Sequence, residues 1–213
     1  MTINPALILI LGAIPIPLLR GPFRASYLLI LPLIGLGFAF SLEPGLHWSV
    51  NIMNYDLELL RIDRLSQAFS YIFFFAAFLG NLYTLKDDDP VQPIATQVYA
   101  GSAIGAVYAG DLITFFVFWE LTAVSSVFLI WARRTERAYQ AGMRFLIIQV
   151  GSGVLLLGGL ILLVRDTGSI AFDLLGVTSP GTALIFVAFG IKCAFPLLHN
   201  WLHDAYPLSL IHI

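Results

Sequence analysis

Apolar residues run along this chain in long blocks separated by short polar stretches. The blocks fall at about residues 5 to 19, 25 to 42, 66 to 85, 93 to 109, 111 to 131, 140 to 164 and 181 to 198. A run of about 17 to 25 apolar residues matches the ~30 Å hydrocarbon core of a bilayer at ~1.5 Å of helix rise per residue. The pattern therefore predicts an all-α polytopic membrane protein with about seven transmembrane helices, forming a single membrane domain over residues 1–213. Pro15 and Pro17 interrupt the first block, so that helix should end early. The long connection from Glu43 to Leu65 breaks the habit. Its stretch HWSVNIMNYDLELLRID alternates polar and apolar residues at strand period and predicts a small external β-hairpin between helices two and three.

Composition agrees with the pattern: 59% of the 213 residues are hydrophobic and only 11% are charged. A net charge of -2 without a basic cluster argues against a nucleic-acid partner. Cys193, the single cysteine, excludes an intrachain disulfide. The N-terminal run lacks the basic region and cleavage site of a signal peptide and reads as a retained helix. No cofactor fingerprint, nucleophile elbow or phosphate loop is present, so no cofactor is expected and the remaining chemistry is ion movement.

Basic residues set an orientation. Arg20, Arg24, Lys86, Arg133, Arg134 and Arg137 fall on one side, and Arg61, Arg64 and Arg165 on the other, which puts the N-terminus outside the membrane. Asp87, Asp88 and Asp89 before Pro90 read as a solvated turn. Gly101 and Gly105 form a small-xxx-small step, and Gly151, Gly153, Gly158 and Gly159 thin the sixth helix, as close helix contacts require.

Two charges interrupt the apolar blocks. Glu120 stands at the middle of DLITFFVFWELTAVSSVFLIW, where a charged side chain costs about 2.5 to 3.5 kcal/mol on insertion scales and needs an interior partner or pathway. Lys192 lies at a similar depth in the last block. Opposite charges at one depth invite pairing, and a lysine balanced between lost hydration and a neighbouring carboxylate can take up and release a proton. Two blander readings stay open: a protonated Glu120 bonded to Thr122 or Ser125, and a Lys192 that snorkels to the interface. Pro196, four residues after Lys192, removes a helical N–H and predicts a break in the last helix there. His199 and His203 share a helical face, but they lack a third ligand and a glutamate, so they read as interfacial or as members of a proton path and not as a metal site. Arg144 is either an inner-face anchor or a member of the same path.

Taken together, RIDRLSQAF, DLITFFVFWEL, MRFLIIQVGSG and GIKCAFPLLHNWLHDAYP resemble the antiporter-like membrane subunits shared by Mrp-type monovalent cation/proton antiporters, complex I and membrane-bound hydrogenases. The last motif is the most specific, with Lys192, His199, Trp201, Leu202, Asp204 and Ala205 in the family's order. The resemblance implies that Glu120 and Lys192 are the proton-translocating pair of a transporter subunit, not itself an enzyme. It implies partner membrane subunits in a hetero-oligomer, protons with Na+ or K+ as the ions, and a bacterial inner membrane. The AYP ending is more like the D subunit of Mrp antiporters than like complex I. Pro196 lies one position earlier than the family's proline, and His203 stands where the family carries another. Family members continue into a second, inverted half, so a chain ending at Ile213 reads as an N-terminal fragment. A proton-pumping role in complex I or a membrane-bound hydrogenase, and a non-transporting scaffold, are the alternatives.

Overall fold

A computed structural model of the chain describes residues 3–52, 55–85, 89–172, 174–205 and 207. Asp87 and Asp88 of the acidic triplet, and the terminal LSLIHI, lie outside the described residues. The described chain is mostly helical and divides into two compact units, residues 1–110 and 111–213.

The first unit holds α1 (Ala6–Gly12), α2 (Gly21–Phe40), strands β1 (Gly45–Ile52) and β2 (Tyr55–Ile62), α3 (Arg64–Tyr83) and α4 (Val91–Tyr108). The α1 helix stops at Gly12, and Ile16–Leu18 continue only as a 3₁₀ turn, as the two prolines predict. The strands pair antiparallel from Gly45↔Ile62 to Ile52↔Tyr55, with a register shift around Trp48. The expected hairpin is therefore present. Its inward residues Leu57, Leu60 and Ile62 are buried, and Asn4 donates to the Leu59 carbonyl at 2.8 Å, tying the hairpin to the chain start. Asp63 caps α3 by accepting from the Ser66 N–H at 2.7 Å, while the Ser66 hydroxyl serves the Asp63 N–H in return. Gly101 meets α1 closely enough that a Cβ there would stand 2.7 Å from Ile10 Cγ1, so this glycine marks a helix contact as expected.

The second unit holds α5 (Leu112–Trp131), α6 (Glu136–Thr167), α7 (Pro180–Lys192) and the short α8 (Asn200–Ala205). Polar residues start each long helix. Asp111 accepts from the Ile113 and Thr114 N–H groups, both at 2.8 Å, at the head of α5; Thr135 accepts from Ala138 at the head of α6. Ser179 and Thr182 form a capping box for α7, with Pro180 at its first turn. The Leu112 N–H donates to the Ile170 carbonyl at 2.9 Å and fastens the start of α5 to the loop that follows α6.

The glycines of α6 divide by direction. A Cβ on Gly159 would stand 2.6 Å from the Gly181 carbonyl oxygen, so α6 and α7 cross backbone to backbone there. Gly151 and Gly158 face open space and make no such contact. Of the helices, α2, α3, α5 and α6 are long and apolar enough to cross a membrane; α1 with its 3₁₀ turn, and α7, are shorter apolar helices. The molecule is an integral membrane protein.

Candidate functional site

Two apolar clusters line α6 in the second unit. One gathers Leu112, Trp119, Leu156, Leu160, Leu163, Ile185 and Ala188. The other gathers Val127, Ile130, Ala138, Ala141, Phe145, Trp201 and Ala205. Between them the face of α6 carries Gln149, Ser152 and Gly153, and the facing stretch of α5 carries Glu120, Thr122 and Ser125. The expected charges therefore sit in a polar layer between apolar ones.

Glycine at position 153 is what admits Glu120. The carboxylate of Glu120 lies directly against the Gly153 backbone, and any Cβ there would stand 2.5 Å from Glu120 Cδ. Glu120 Oε1 is buried with no hydrogen-bond partner among the described residues. One turn away on the same face of α6, the buried Gln149 also leaves its Oε1 without a donor. Nearby hydroxyls are already spent: Ser125 donates to the Leu121 carbonyl at 2.6 Å, and Ser152 to the Gln149 carbonyl at 2.7 Å.

Lys192 is the last helical residue of α7 and reaches across to α5. Its Nζ donates to the Trp119 carbonyl at 2.9 Å and to Thr122 Oγ1 at 3.0 Å, and it stands 4.4 Å from the Trp119 ring centroid. Thr122 in turn donates its own hydroxyl proton to the Trp119 carbonyl at 2.7 Å. These contacts flank Glu120 in sequence, yet no direct ion pair joins Glu120 to Lys192 among the described residues. The carboxylate turns toward α6, while the lysine follows the backbone of α5. Thr122 thus serves the lysine and not the glutamate, and neither snorkelling of Lys192 nor a bond from Glu120 to Thr122 or Ser125 describes the arrangement.

The break beside Lys192 begins earlier than Pro196. Cys193 ends the helix, and Ala194 takes the left-handed conformation at φ 55°. The Phe195 N–H donates to the Gly190 carbonyl at 2.8 Å, and that of Ala194 to Ile191 at 3.1 Å. This is a Schellman closure with alanine where glycine is usual. Proline still accounts for it, because the residue before a proline is pushed out of helical backbone, and Phe195 holds that position. The irregular stretch runs to His199, and Trp201 Nε1 closes it by donating to the Ile191 carbonyl at 3.0 Å.

The remaining candidates lie beyond the break. His199 and His203 come together edge to face, with ring centroids 5.3 Å apart, and neither is hydrogen-bonded to Glu120 or Lys192 among the described residues. Arg144 Nε pairs with Asp204 Oδ2 at 3.0 Å, an exposed contact that ties α6 to α8. Sequence reasoning did not single out Trp119 or Gln149. It also left Asp204 without its arginine, although the two opposite charges stand at the ends of adjacent apolar runs.

Residues 109–211 match the family described as NADH:quinone oxidoreductase/Mrp antiporter, TM. Among curated relatives, NAD(P)H-quinone oxidoreductase chain 5 of Picosynechococcus sp. is 31% identical over 226 residues, an alignment covering 86% of this chain and 33% of the relative. The Na(+)/H(+) antiporter subunit A1 of Staphylococcus aureus (strain bovine RF122 / ET3-1) is 33% identical over 136 residues, covering 60% of this chain and 16% of the relative. A chain in the structure of the Mrp complex from Dietzia sp. DQ12-45-1b shares the fold, with a TM-score of 0.80 at 24% identity over 97% of this chain and 25% of that one. The chain thus spans a third or less of the length of these proteins.

Proposed function

The chain belongs to the family of transmembrane subunits common to NADH:quinone oxidoreductase and Mrp antiporters, and from that premise we propose that it serves proton translocation in a multisubunit monovalent cation/proton antiporter. Glu120 and Lys192 carry the proton. Arg144, His199 and His203 are candidates for the path beyond them, and the break before Pro196 supplies the irregular backbone. The observation that carries this reading is the polar layer of the second unit: an acidic oxygen without a partner, Glu120 Oε1, and a lysine ammonium held on the same stretch of α5, with apolar clusters on both sides. Such groups are retained inside a membrane bundle where they mark ion or proton pathways.

The finer assignment follows the sequence. Na+ or K+ is the exchanged cation, other membrane subunits of a hetero-oligomer are the partners, and a bacterial inner membrane with the N-terminus outside is the setting. The D-type assignment rests on Ala205, Tyr206 and Pro207. A second reading, proton pumping within NADH:quinone oxidoreductase, is favoured by the breadth of the oxidoreductase match, which covers 86% of this chain.

Flux measurement in proteoliposomes carrying the complete complex tests the proposal. Glu120→Ala and Lys192→Ala should each abolish cation-driven proton movement while the complex still assembles, because either group can neutralise itself by changing protonation. Glu120→Asp should be milder. The double variant should lose little more than either single one, since the two act as a unit. Normal flux with Lys192→Ala would defeat the mechanism.

A further inference from the structure

The structure shows the Lys192 ammonium seated on α5 and not on Glu120. Nζ lies on the Trp119 carbonyl at 2.9 Å and Thr122 Oγ1 at 3.0 Å, over the Trp119 ring at 4.4 Å. Glu120, the residue between these two, points its carboxylate at Gly153 and leaves Oε1 without a donor. We propose that Trp119 and Thr122 form a second seat for the Lys192 ammonium, alternative to Glu120, and that Thr122 is the positioning residue that holds the lysine there while Glu120 exchanges its proton.

The seat is built for a cation. An ammonium has three donors and no acceptor, so it needs oxygens or π-faces in place of water, and the seat offers two oxygens and one ring. Thr122 gives its only hydroxyl proton to the Trp119 carbonyl at 2.7 Å. That bond leaves the lone pairs of Oγ1 for the lysine, so the hydroxyl is oriented as an acceptor before the lysine arrives. The other place is equally defined: Glu120 Oε1 is a buried acceptor that the ammonium would satisfy. A four-carbon stem lets the ammonium swing between neighbouring acceptors without moving the helix. Lys192 is moreover the last residue of α7, followed by irregular backbone. With the ammonium on Trp119 and Thr122, no ion pair to Glu120 forms among the described residues, so the two seats are taken in turn.

This proposal rests on the reading of Glu120 and Lys192 as proton carriers, and the test separates the two. Thr122→Val keeps the branched shape and removes the acceptor, whereas Thr122→Ser keeps the hydroxyl. In proteoliposomes of the assembled complex, Thr122→Val should lower maximal proton flux about tenfold with the cation KM unchanged, as expected for one hydrogen bond to a charged group. Thr122→Ser should restore most of it, which a mere packing role for the threonine methyl would not do. If Lys192→Ala abolishes flux while Thr122→Val runs like the parent, the second seat is wrong and the carrier assignment stands. If Thr122→Val and Thr122→Ser lose flux alike, the hydroxyl is not the operative group and the proposal also fails. Normal flux in Lys192→Ala removes the carrier assignment and the seat with it.

Discussion

Replacing Gly159 by alanine tests the packing that brings Lys192 to α5, because α6 and α7 touch at that point through their backbones. A Cβ there would stand 2.6 Å from the Gly181 carbonyl oxygen, 2.7 Å from Ile185 Cγ1 and 2.9 Å from the Ile185 nitrogen. Ordinary contact begins at 3.4 Å, so the helices must part by about 0.8 Å (3.4 less 2.6), and two of the three obstructing atoms are backbone that cannot rotate away. Overpacking of this kind costs about 1–3 kcal/mol. Alanine is also the better helix former by about 0.5–1 kcal/mol, which partly masks the cost. The adjacent Gly158 cancels that term, since a Cβ there meets nothing within 4 Å and Gly158→Ala retains only the propensity gain. The difference between the two variants is therefore the steric cost alone, a factor of roughly 5 to 150 in the unfolding equilibrium. Equilibrium unfolding in mixed micelles, followed by circular dichroism, would read it: Gly158→Ala at or above the parent, Gly159→Ala below. Equal stability of the two would refute a backbone-to-backbone crossing of α6 and α7.

The remaining predictions concern orientation and the anchoring of α8. With a membrane-impermeant thiol reagent on intact cells, Asp56→Cys should label and Arg20→Cys and Arg133→Cys should not; labelling at Arg133→Cys would invert the proposed topology. Arg144→Ala should change stability by less than about 1 kcal/mol, because its ion pair with Asp204 is half exposed. Trp201→Phe should cost more, about 1–3 kcal/mol, since it removes the indole donor to the Ile191 carbonyl and leaves the end of α7 with one bond fewer. If the order of those two effects is reversed in the same unfolding assay, the anchoring of α8 is electrostatic and not packed.

The long apolar blocks and the alternating stretch around Trp48 were legible because bilayer thickness and strand pleat impose their own periods on a chain. Two capping boxes, Asp63 with Ser66 and Ser179 with Thr182, went unread, because each has a hydroxyl residue where the usual signature carries Glu or Gln. The end of α7 was hidden as well. A Schellman closure is usually announced by glycine, and here the left-handed position is Ala194, so only the proline downstream gave a signal, displaced by three residues from where the helix stops. The lysine seat was hidden for a different reason. One of its acceptors is the Trp119 carbonyl, and every residue carries a carbonyl, so side-chain identity cannot point to it. Depth alone brought Glu120 and Lys192 to one layer, but the rotation of each helix decided that one would face Gly153 and the other Thr122.

The length of α6 bears on how the molecule sits in lipid. Arg144 and Arg165 bracket its apolar stretch, 21 positions apart (165 less 144). At ~1.5 Å per residue they stand ~32 Å apart, close to the ~30 Å hydrocarbon thickness of a bilayer, so each guanidinium reaches a headgroup layer when the helix is nearly upright. These two arginines act as a ruler that sets the vertical position of the second unit. Gly153, nine positions above Arg144, then falls within a few ångströms of the bilayer midplane, and the Glu120 carboxylate resting on it is held at the depth farthest from water on either side. Lipids with shorter chains would tilt that ruler, and longer ones would thin locally around it, so either changes the distance a proton must travel to reach Glu120 from each surface.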